Sequence, residues 1–221
     1  MNKGKNKASA VSKYKDIAAV ILAGGKASRM NNTDKALVKL GGRELISYVI
    51  ERAASEVDKI VLSVNRNLQN YQTFNLPLIE DRCQQYAGPL LGIHSAMNWI
   101  TSNAAGDGFS EIKYLACFPT DVPIFPSNII SKLHDAIQLN DSSLAMVQTG
   151  NQLQPLFSLW RVDTYAKIDA AIKSGIYGPK FFAQQLDYVV INFALERQKD
   201  FFNINTPDDL KKAESFMRTG L

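Results

Sequence analysis

Continuous apolar runs alternate along the chain with segments of helical periodicity. Residues 17–23 read IAAVILA, a run that is typical of a strand buried on both faces of a parallel sheet. The next segment places apolar residues at the i, i+3, i+4, i+7 spacing of an amphipathic helix, namely Ile46, Val49, Ile50, Ala53, Ala54 and Val57. Further strands are predicted at residues 59–64, 78–80, 114–118, 144–148 and 156–160, and further helices at 90–100, 129–137, 164–173 and from 207 onward.

Two of these helices have predicted N-caps. Ser127 precedes the helix at 129–137. Thr206 precedes Pro207, which suits the first helical position, and two acidic residues follow it. The alternation of strands and helices predicts a three-layer α/β/α fold with a mainly parallel sheet. Ligands of such sheets bind beyond the carboxyl ends of the strands, so we expect the functional residues in the loops there.

The net charge of +4 is concentrated at the N-terminus. The first 15 residues contain five lysines and no acid, and without them the chain has 20 basic and 21 acidic residues. We therefore expect residues 1–15 to form a disordered basic tail and residues 16–221 to form one domain. A nearly neutral domain argues against a nucleic-acid partner.

Composition and cysteine spacing exclude several classes of protein. The chain is 46% hydrophobic and 21% charged, which excludes a disordered protein. No apolar run approaches 18 residues, so no membrane span is predicted, and the tail lacks the apolar segment of a secretory signal. Cys83 and Cys117 form neither a CxxC pair nor, with the two histidines, a zinc-binding spacing. These features predict free thiols and a cytoplasmic protein.

The loop after the first strand reads LAGGKASRM, residues 22–30, and Asp34-Lys35 follows it. Its two glycines let backbone N–H groups approach a ligand, while Arg29 and Lys35 add two cations. Backbone donors and fixed cations suit a triphosphate and a departing pyrophosphate. The spacing matches neither G-x-G-x-x-G nor the Walker A motif. A plain glycine turn with solvated basic side chains is the alternative.

Three further loops carry candidate site residues. Asp121 follows the strand at 114–118 and has a proline on each side, an arrangement that suits Mg²⁺ or a simple Asx-turn. Residues 80–81 (ED) precede GPLLG at 88–92, whose glycines allow close approach of a flat base or mark an ordinary helix start. Asn203 and Asn205 precede the Thr206 cap and are either ligand contacts or capping residues.

Taken together, these strings resemble one family, the molybdenum cofactor guanylyltransferases. The resemblance runs from about residue 20 to 210 and rests on LAGGKxSRM, DK, NR, ED with GPLLG, PTDVP, QPLFSLW and FxNINTPDDL. It implies a Rossmann-like fold of the nucleotide-diphospho-sugar transferase type, with a nucleotide-binding N-terminal half and an acceptor-binding C-terminal half. It also implies an enzyme that transfers GMP from GTP to molybdopterin with Mg²⁺ and releases pyrophosphate.

The resemblance assigns roles to particular positions. It implies that Lys35 and Arg29 act at the GTP phosphates, that Asp121 is the Mg²⁺ ligand, and that Asn203 and Asn205 lie near molybdopterin. The remaining implied nucleotide contacts are Leu22, Ala23, Gly24, Gly25, Asp81, Gly88 and Pro89. Gly25 and GPLLG favour guanine over cytosine, because cytidylyl-transferring cousins tend to carry LAAG and lack GPLLG.

The chain departs from the family pattern at two places. Ser63 stands where relatives often have asparagine, so its contact with the base would have a shorter reach. Asn31-Asn32 replaces a glycine, and asparagine tolerates left-handed backbone best after glycine.

Substrates and partners follow from the resemblance as well. It implies GTP and molybdopterin, transient contact with proteins of cofactor biosynthesis or molybdoenzyme maturation, and neither a nucleic acid nor a membrane. Two alternatives stay open: a cytidylyl- or other nucleotidyltransferase with a different phosphorylated acceptor, and a non-catalytic GTP-binding module that delivers the cofactor.

Overall fold

A seven-stranded sheet forms the centre of the protein in a computed structural model, which describes residues 13–24, 34–81, 88–103, 108–194 and 200–219. A short separate hairpin adds two more strands. The strands are β1 Tyr14–Leu22, β2 Lys39–Leu40, β3 Arg43–Glu44, β4 Val57–Ser63, β5 Leu78–Ile79, β6 Tyr114–Pro119, β7 Leu144–Thr149, β8 Gln152–Arg161 and β9 Tyr188–Phe193.

The order of the sheet is β5-β4-β1-β6-β8-β7-β9. Strand β8 is antiparallel to both of its neighbours, and the other pairs are parallel, so the prediction of a mainly parallel sheet is confirmed. In the register of the sheet, Leu22 lies beside Ser63 of β4 and beside Pro119 of β6. The carboxyl ends of three strands therefore meet at one edge.

Helices cover both faces of the sheet. Alternate residues of β1 point to opposite faces, so Ile17 and Ile21 pack with α1 and α3, whereas Ala18 and Val20 pack with α2, α4 and α5. This arrangement confirms the three-layer prediction. The helices are α1 Leu45–Ala54, α2 Pro89–Ser102, α3 Ile129–Asn140, α4 Tyr165–Lys173, α5 Pro179–Ala183 and α6 Pro207–Thr219.

Several predicted boundaries were wrong. Helix α1 ends at Ala54, and Val57 begins β4 instead, because apolar spacing alone does not distinguish the last helical turn from the first residue of a buried strand. Strand β1 begins at Tyr14, within the range expected to be tail, and Lys13 pairs with Asp58 at 2.9 Å. Residues 1–12 lie outside the described residues.

The structure bears on two further sequence predictions, the free cysteines and the membrane spans. Cys117 is a free, buried thiol in β6, and burial raises its pKa. Cys83 lies outside the described residues. Within the described ranges, no helix is both long enough and apolar enough to cross a membrane.

Helix α3 is capped by a side chain from a distant part of the chain. Ser127 is not the cap: Asn128 occupies that position without a side-chain bond. Instead, the Glu56 carboxylate accepts hydrogen bonds from the N–H groups of Ile130 (2.9 Å) and Ser131 (2.8 Å). Glu56 is 5% exposed, and desolvation raises its pKa while these bonds oppose the rise. The buried carboxylate thus satisfies two N–H groups of the first helical turn, which have no partner within the helix.

We expect Glu56→Gln to destabilise the fold by about 1–3 kcal/mol. The amide oxygen of glutamine can accept one of the two backbone N–H groups, but its NH₂ group would then face the other N–H donor. Urea unfolding measures the loss, with the exposed Glu111→Gln as the control. Because the folded pKa is raised, the contribution of Glu56 to the free energy of unfolding should fall as the pH rises from its unfolded value through its folded value. A Glu56→Gln variant as stable as Glu111→Gln would contradict this account.

Candidate active site

The predicted site loops lie together at the edge where β1, β4 and β6 end. The Ala23 N–H donates to the Ser63 carbonyl at 2.9 Å, and the Thr120 hydroxyl donates to the Leu22 carbonyl at 3.3 Å. These bonds join the first loop to the loops on both sides. Gly25 and Arg29, two of the predicted site residues, lie outside the described residues, as does Asn31-Asn32.

Three predicted residues form what we call the Lys35 cluster: Lys35, Asp121 and Asn205. The Lys35 ammonium lies 2.9 Å from a carboxylate oxygen of Asp121 and also donates to the amide oxygen of Asn205. The Lys35 side chain is 12% exposed and that of Asp121 is 28% exposed. The cluster therefore holds a largely buried lysine beside a partly exposed carboxylate.

Backbone pairing explains how Asn205 reaches this place from the far end of the chain. The Ile204 N–H donates to the Asp121 carbonyl at 2.8 Å, and the Phe201 N–H donates to the Ile124 carbonyl at 3.0 Å. The chain that leads into α6 is thereby fixed along the loop after β6.

The predicted N-terminus of α6 is confirmed and fixes the segment at its other end. The Asp209 carboxylate accepts from the N–H groups of Asn205 (3.1 Å) and Thr206 (2.9 Å), while the Asp209 N–H bonds back to the Thr206 hydroxyl at 3.2 Å. This reciprocal pair is a capping box. Asn203 lies on the same segment and is exposed.

A second group, which we call the Asp81 cluster, consists of Asn65, Asp81, Ser63 and Ser95. Asn65 makes two bonds to Asp81: its NH₂ donates to the carboxylate at 2.6 Å, and its oxygen accepts the Asp81 N–H at 2.9 Å. Burial raises the pKa of Asp81. Four neighbours oppose that rise, in decreasing order of effect: Asn65, Ser95, the charge of His94, and Ser63.

Sequence reasoning missed the part played by Asn65. The family pattern points to Ser63, where relatives often carry asparagine, yet Ser63 is 2% exposed and packs beneath α2. Asn65 is two residues further on, in the NR string; its amide bonds to Asp81 and lies where a Cβ on Gly24 would contact it. A contact over 16 residues between two loops leaves no periodic signal in the sequence.

Two glycines allow the elements of the site to approach closely. A Cβ on Gly92 would lie 2.7 Å from a methyl group of Leu22 and 2.9 Å from the Ser63 hydroxyl. A Cβ on Gly24 would lie 3.0 Å from the Asn65 amide nitrogen. Gly92 was not among the predicted site residues, although it closes the GPLLG string. Helix α2 therefore packs directly on β1 and β4.

The other residues of GPLLG begin α2. Gly88 is the extended N-cap residue, and Pro89 occupies the first helical position. The N–H of Leu90 donates to the Tyr177 carbonyl at 3.2 Å, so a loop from the second half of the chain borders this helix start.

The donor chemistry of the Lys35 cluster suits a hard cation that is shared with a phosphate ligand. Across the part of the chain that the structure describes, no group of three or more His, Cys, Asp or Glu side chains could hold a metal by itself. Mg²⁺ typically takes only one or two carboxylates and completes its shell with phosphate oxygens and water. Asp121, a partly exposed carboxylate beside an amide oxygen, fits that pattern.

The fold is that of several solved nucleotide-handling proteins. Molybdopterin-guanine dinucleotide biosynthesis protein A from Archaeoglobus fulgidus superposes with a TM-score of 0.71 at 22% identity, covering 91% of this chain and 99% of that one. A CMP:2-keto-3-deoxy-manno-octonic acid synthetase complexed with CTP gives a TM-score of 0.71 at 14% identity, covering 95% of this chain and 100% of that one. These likenesses define the class of fold, that of the nucleotide-diphospho-sugar transferases.

Sequence similarity narrows the class. Residues 19–189 match the family model of the MobA-like NTP transferase domain. A molybdenum cofactor guanylyltransferase from Shewanella sp. strain MR-4 is 33% identical over 196 residues, 89% of this chain and 94% of that protein. One from Rhodopseudomonas palustris strain HaA2 is 32% identical over 199 residues, 89% of this chain and 90% of that protein. The chain belongs to the MobA-like NTP transferase family and is a nucleotidyltransferase.

We expect Gly92→Ala to weaken nucleotide binding about tenfold or more, because its Cβ must push α2 away from Leu22 and Ser63. Calorimetry of nucleotide binding measures the loss. The control is Gly42→Ala, in the turn between β2 and β3. Its Cβ would meet nothing within 4 Å, but a φ of 86° is strained for alanine, so this variant should lose stability without disturbing the site. Equal affinities for the two variants would show that the close approach at Gly92 does not shape the site.

Proposed function

We propose that this nucleotidyltransferase transfers GMP from GTP to molybdopterin, forming the guanine dinucleotide cofactor and releasing pyrophosphate. The Lys35 cluster carries the proposal, because it brings the DK, PTDVP and NINT strings to one ammonium group. The names of relatives that cover about nine-tenths of the chain support the choice of nucleotide and acceptor. The reaction would take place in the cytoplasm, with transient contacts to proteins that mature molybdoenzymes.

The proposed chemistry is an in-line displacement at the α-phosphorus of GTP. An oxygen of the molybdopterin phosphate forms a bond to this phosphorus, while the bond from the α-phosphorus to the bridging oxygen of pyrophosphate breaks. The attacking phosphate is already an anion, so the chain needs no nucleophile and no general base. Its residues contribute by positioning the two phosphates and by neutralising their charge.

Lys35 is the residue on which the two phosphates would converge. Its ammonium group donates to Asp121, on the proposed nucleotide side, and to Asn205, on the proposed acceptor side with Asn203. The same ammonium group would donate to the triphosphate and stabilise the pyrophosphate as charge builds on it, together with Arg29. A lysine shared between the two sides therefore suits a reaction that joins two phosphates.

Asp121 would hold Mg²⁺ in the proposed enzyme. When bound, Mg²⁺ supplies neutralisation of phosphate charge. The carboxylate is already fixed by Lys35 and by the backbone pairing of its own loop, so its oxygens face a defined direction.

The Asp81 cluster would select the base. An ionised carboxylate only accepts hydrogen bonds, and the Watson–Crick edge of guanine offers two adjacent N–H donors, whereas that of cytosine offers one donor beside acceptors. Leu22, Ala23 and Gly24 on one side, and Gly88 and Pro89 on the other, would supply the backbone surface around the base, and Gly25 is assigned to the same nucleotide contact by the family pattern. Ser63 would act indirectly, through Asp81, because it is buried.

We expect Asp121→Ala and Lys35→Ala each to lower kcat by about 10²–10³, or about 2.7–4 kcal/mol, as for a lost charge-stabilising donor. Pyrophosphate release with GTP, Mg²⁺ and molybdopterin measures the loss, and far-UV circular dichroism confirms folding. Asp135→Ala and Lys113→Ala, two exposed residues, are the matched controls. Near-normal turnover of a folded Asp121→Ala variant would rule out the metal-binding role.

The same assay, run with each of the four nucleoside triphosphates and several phosphorylated acceptors, tests the function as a whole. Pyrophosphate release with CTP and not GTP would establish the cytidylyltransferase alternative. GTP binding without release, even in the presence of molybdopterin, would establish the non-catalytic delivery module.

We expect the KM for GTP to rise about tenfold or more as the pH falls through the pKa of Asp81, since protonation replaces an acceptor with a donor toward guanine. Because burial raises this pKa, the rise should begin at a higher pH than for an ordinary aspartate. Asp81→Asn should raise KM at every pH and remove the additional pH dependence, whereas Asp135→Asn should change neither. Parallel pH profiles of wild type and Asp81→Asn would exclude this role.

A further inference from the structure

An ion pair between two residues that adjoin the two clusters in sequence has no role in the chemistry described so far. The Asp34 carboxylate lies 2.6 Å from Nε of Arg66 through one oxygen and accepts from the Asn67 amide at 2.9 Å through the other. Asp34 is almost completely buried, with a side chain 3% exposed, whereas that of Arg66 is 33% exposed. The two residues are distant in sequence, and each lies in a loop of the candidate site.

We propose that the pair Asp34–Arg66, which we call the brace, positions the Lys35 cluster relative to the Asp81 cluster. This inference rests on the proposed function, because it takes the first cluster as the phosphate side and the second as the base side of one nucleotide.

The covalent neighbours of the brace carry the argument. Asp34 directly precedes Lys35, and Arg66 directly follows Asn65, which holds Asp81 by two hydrogen bonds. One side-chain contact thus connects the residue that serves the phosphates to the residue that orients the base-side carboxylate. A displacement at the brace would move both ends of a bound nucleotide at once.

Local structure makes the connection stiff at both ends. The Asp34 carbonyl accepts the Leu37 N–H at 2.9 Å and so begins the 3₁₀ turn Lys35–Leu37. On the other side, Asn67 adopts a left-handed conformation with φ 51° and begins the 3₁₀ helix Leu68–Phe74. The Asp34 carboxylate therefore joins the first residues of two turns rather than two free chain segments.

Burial indicates that position, rather than stability, is what the brace contributes. Removing a carboxylate from water costs free energy that an ion pair recovers only with good geometry, and an apolar pair of similar volume often stabilises a fold as well. The fully buried ring of Tyr71 lies nearby, and burial followed by the charge of Asp34 raises the pKa of its hydroxyl. An apolar contact could fill this space, but it would not fix the orientation of two loops.

A double-mutant cycle on the full chain tests the brace, with GTP affinity measured by calorimetry and kcat by pyrophosphate release. We expect Arg66→Met and Asp34→Asn each to weaken GTP binding and lower kcat about tenfold, while Arg66→Lys, which keeps the charge, recovers most of both. The loss of kcat from Arg66→Met should shrink to about threefold or less once Lys35→Ala is present. Its loss of affinity should likewise shrink once Asn65→Ala is present.

A merely structural role predicts a different pattern. Arg66→Met would then cause the same fold loss of kcat in the Lys35→Ala background, and the same fold loss of affinity in the Asn65→Ala background, as it does in the wild type. Such additive free energies would overturn the brace. Arg161→Met removes ion pairs with Asp141 and Asp163 outside the site and is the matched control, expected to leave affinity and kcat within about twofold of wild type. A wild-type protein that binds none of the four nucleoside triphosphates would overturn the proposed function and the brace together. Normal wild-type binding with additive variants would overturn the brace alone.

Discussion

The site depends on one ammonium group shared by two partners that come from distant parts of the chain. Lys35 bonds to Asp121, 86 residues away, and to Asn205, 170 residues away. Neither contact forms unless the sheet has brought the carboxyl ends of β1 and β6 together and the final loop has paired with the backbone at Asp121. The ordinary requirements of the fold, strand register and satisfied backbone groups, therefore also assemble the Lys35 cluster.

The two clusters differ in how their charged groups are neutralised: one contains an ion pair, and the other contains a carboxylate bonded to a neutral amide. The Lys35 cluster pairs a largely buried ammonium group with a partly exposed carboxylate. The Asp81 cluster holds a half-buried carboxylate, which the amide of Asn65 orients by two hydrogen bonds. The first arrangement suits phosphates, whose charge changes during the reaction. The second suits a base, which carries no charge and offers hydrogen-bond donors along its edge.

The sequence predicted those parts of the molecule that are decided locally. Apolar runs located the buried strands, and Thr206-Pro207 located the start of α6, because burial on both faces and helix capping act over a few residues. Strand β9 was missed although its sequence YVVINF is mostly apolar and rich in β-branched residues, so a strand signal was present there and was overlooked. The Glu56 cap, Asn65 and Gly92 were missed for another reason: each acts on a partner supplied by a different loop or element.

The pairing of Ile204 with Asp121 also has a consequence for the order in which the protein is made. Residues 201–205 follow all seven strands of the central sheet in the chain, yet they pair with the loop after β6 and supply the amide oxygen at Lys35. A nascent chain that has emerged only as far as β6 can pair β1, β4 and β6, but it lacks one of the three members of the Lys35 cluster. The Lys35 cluster is therefore completed later in synthesis than the strands that surround it.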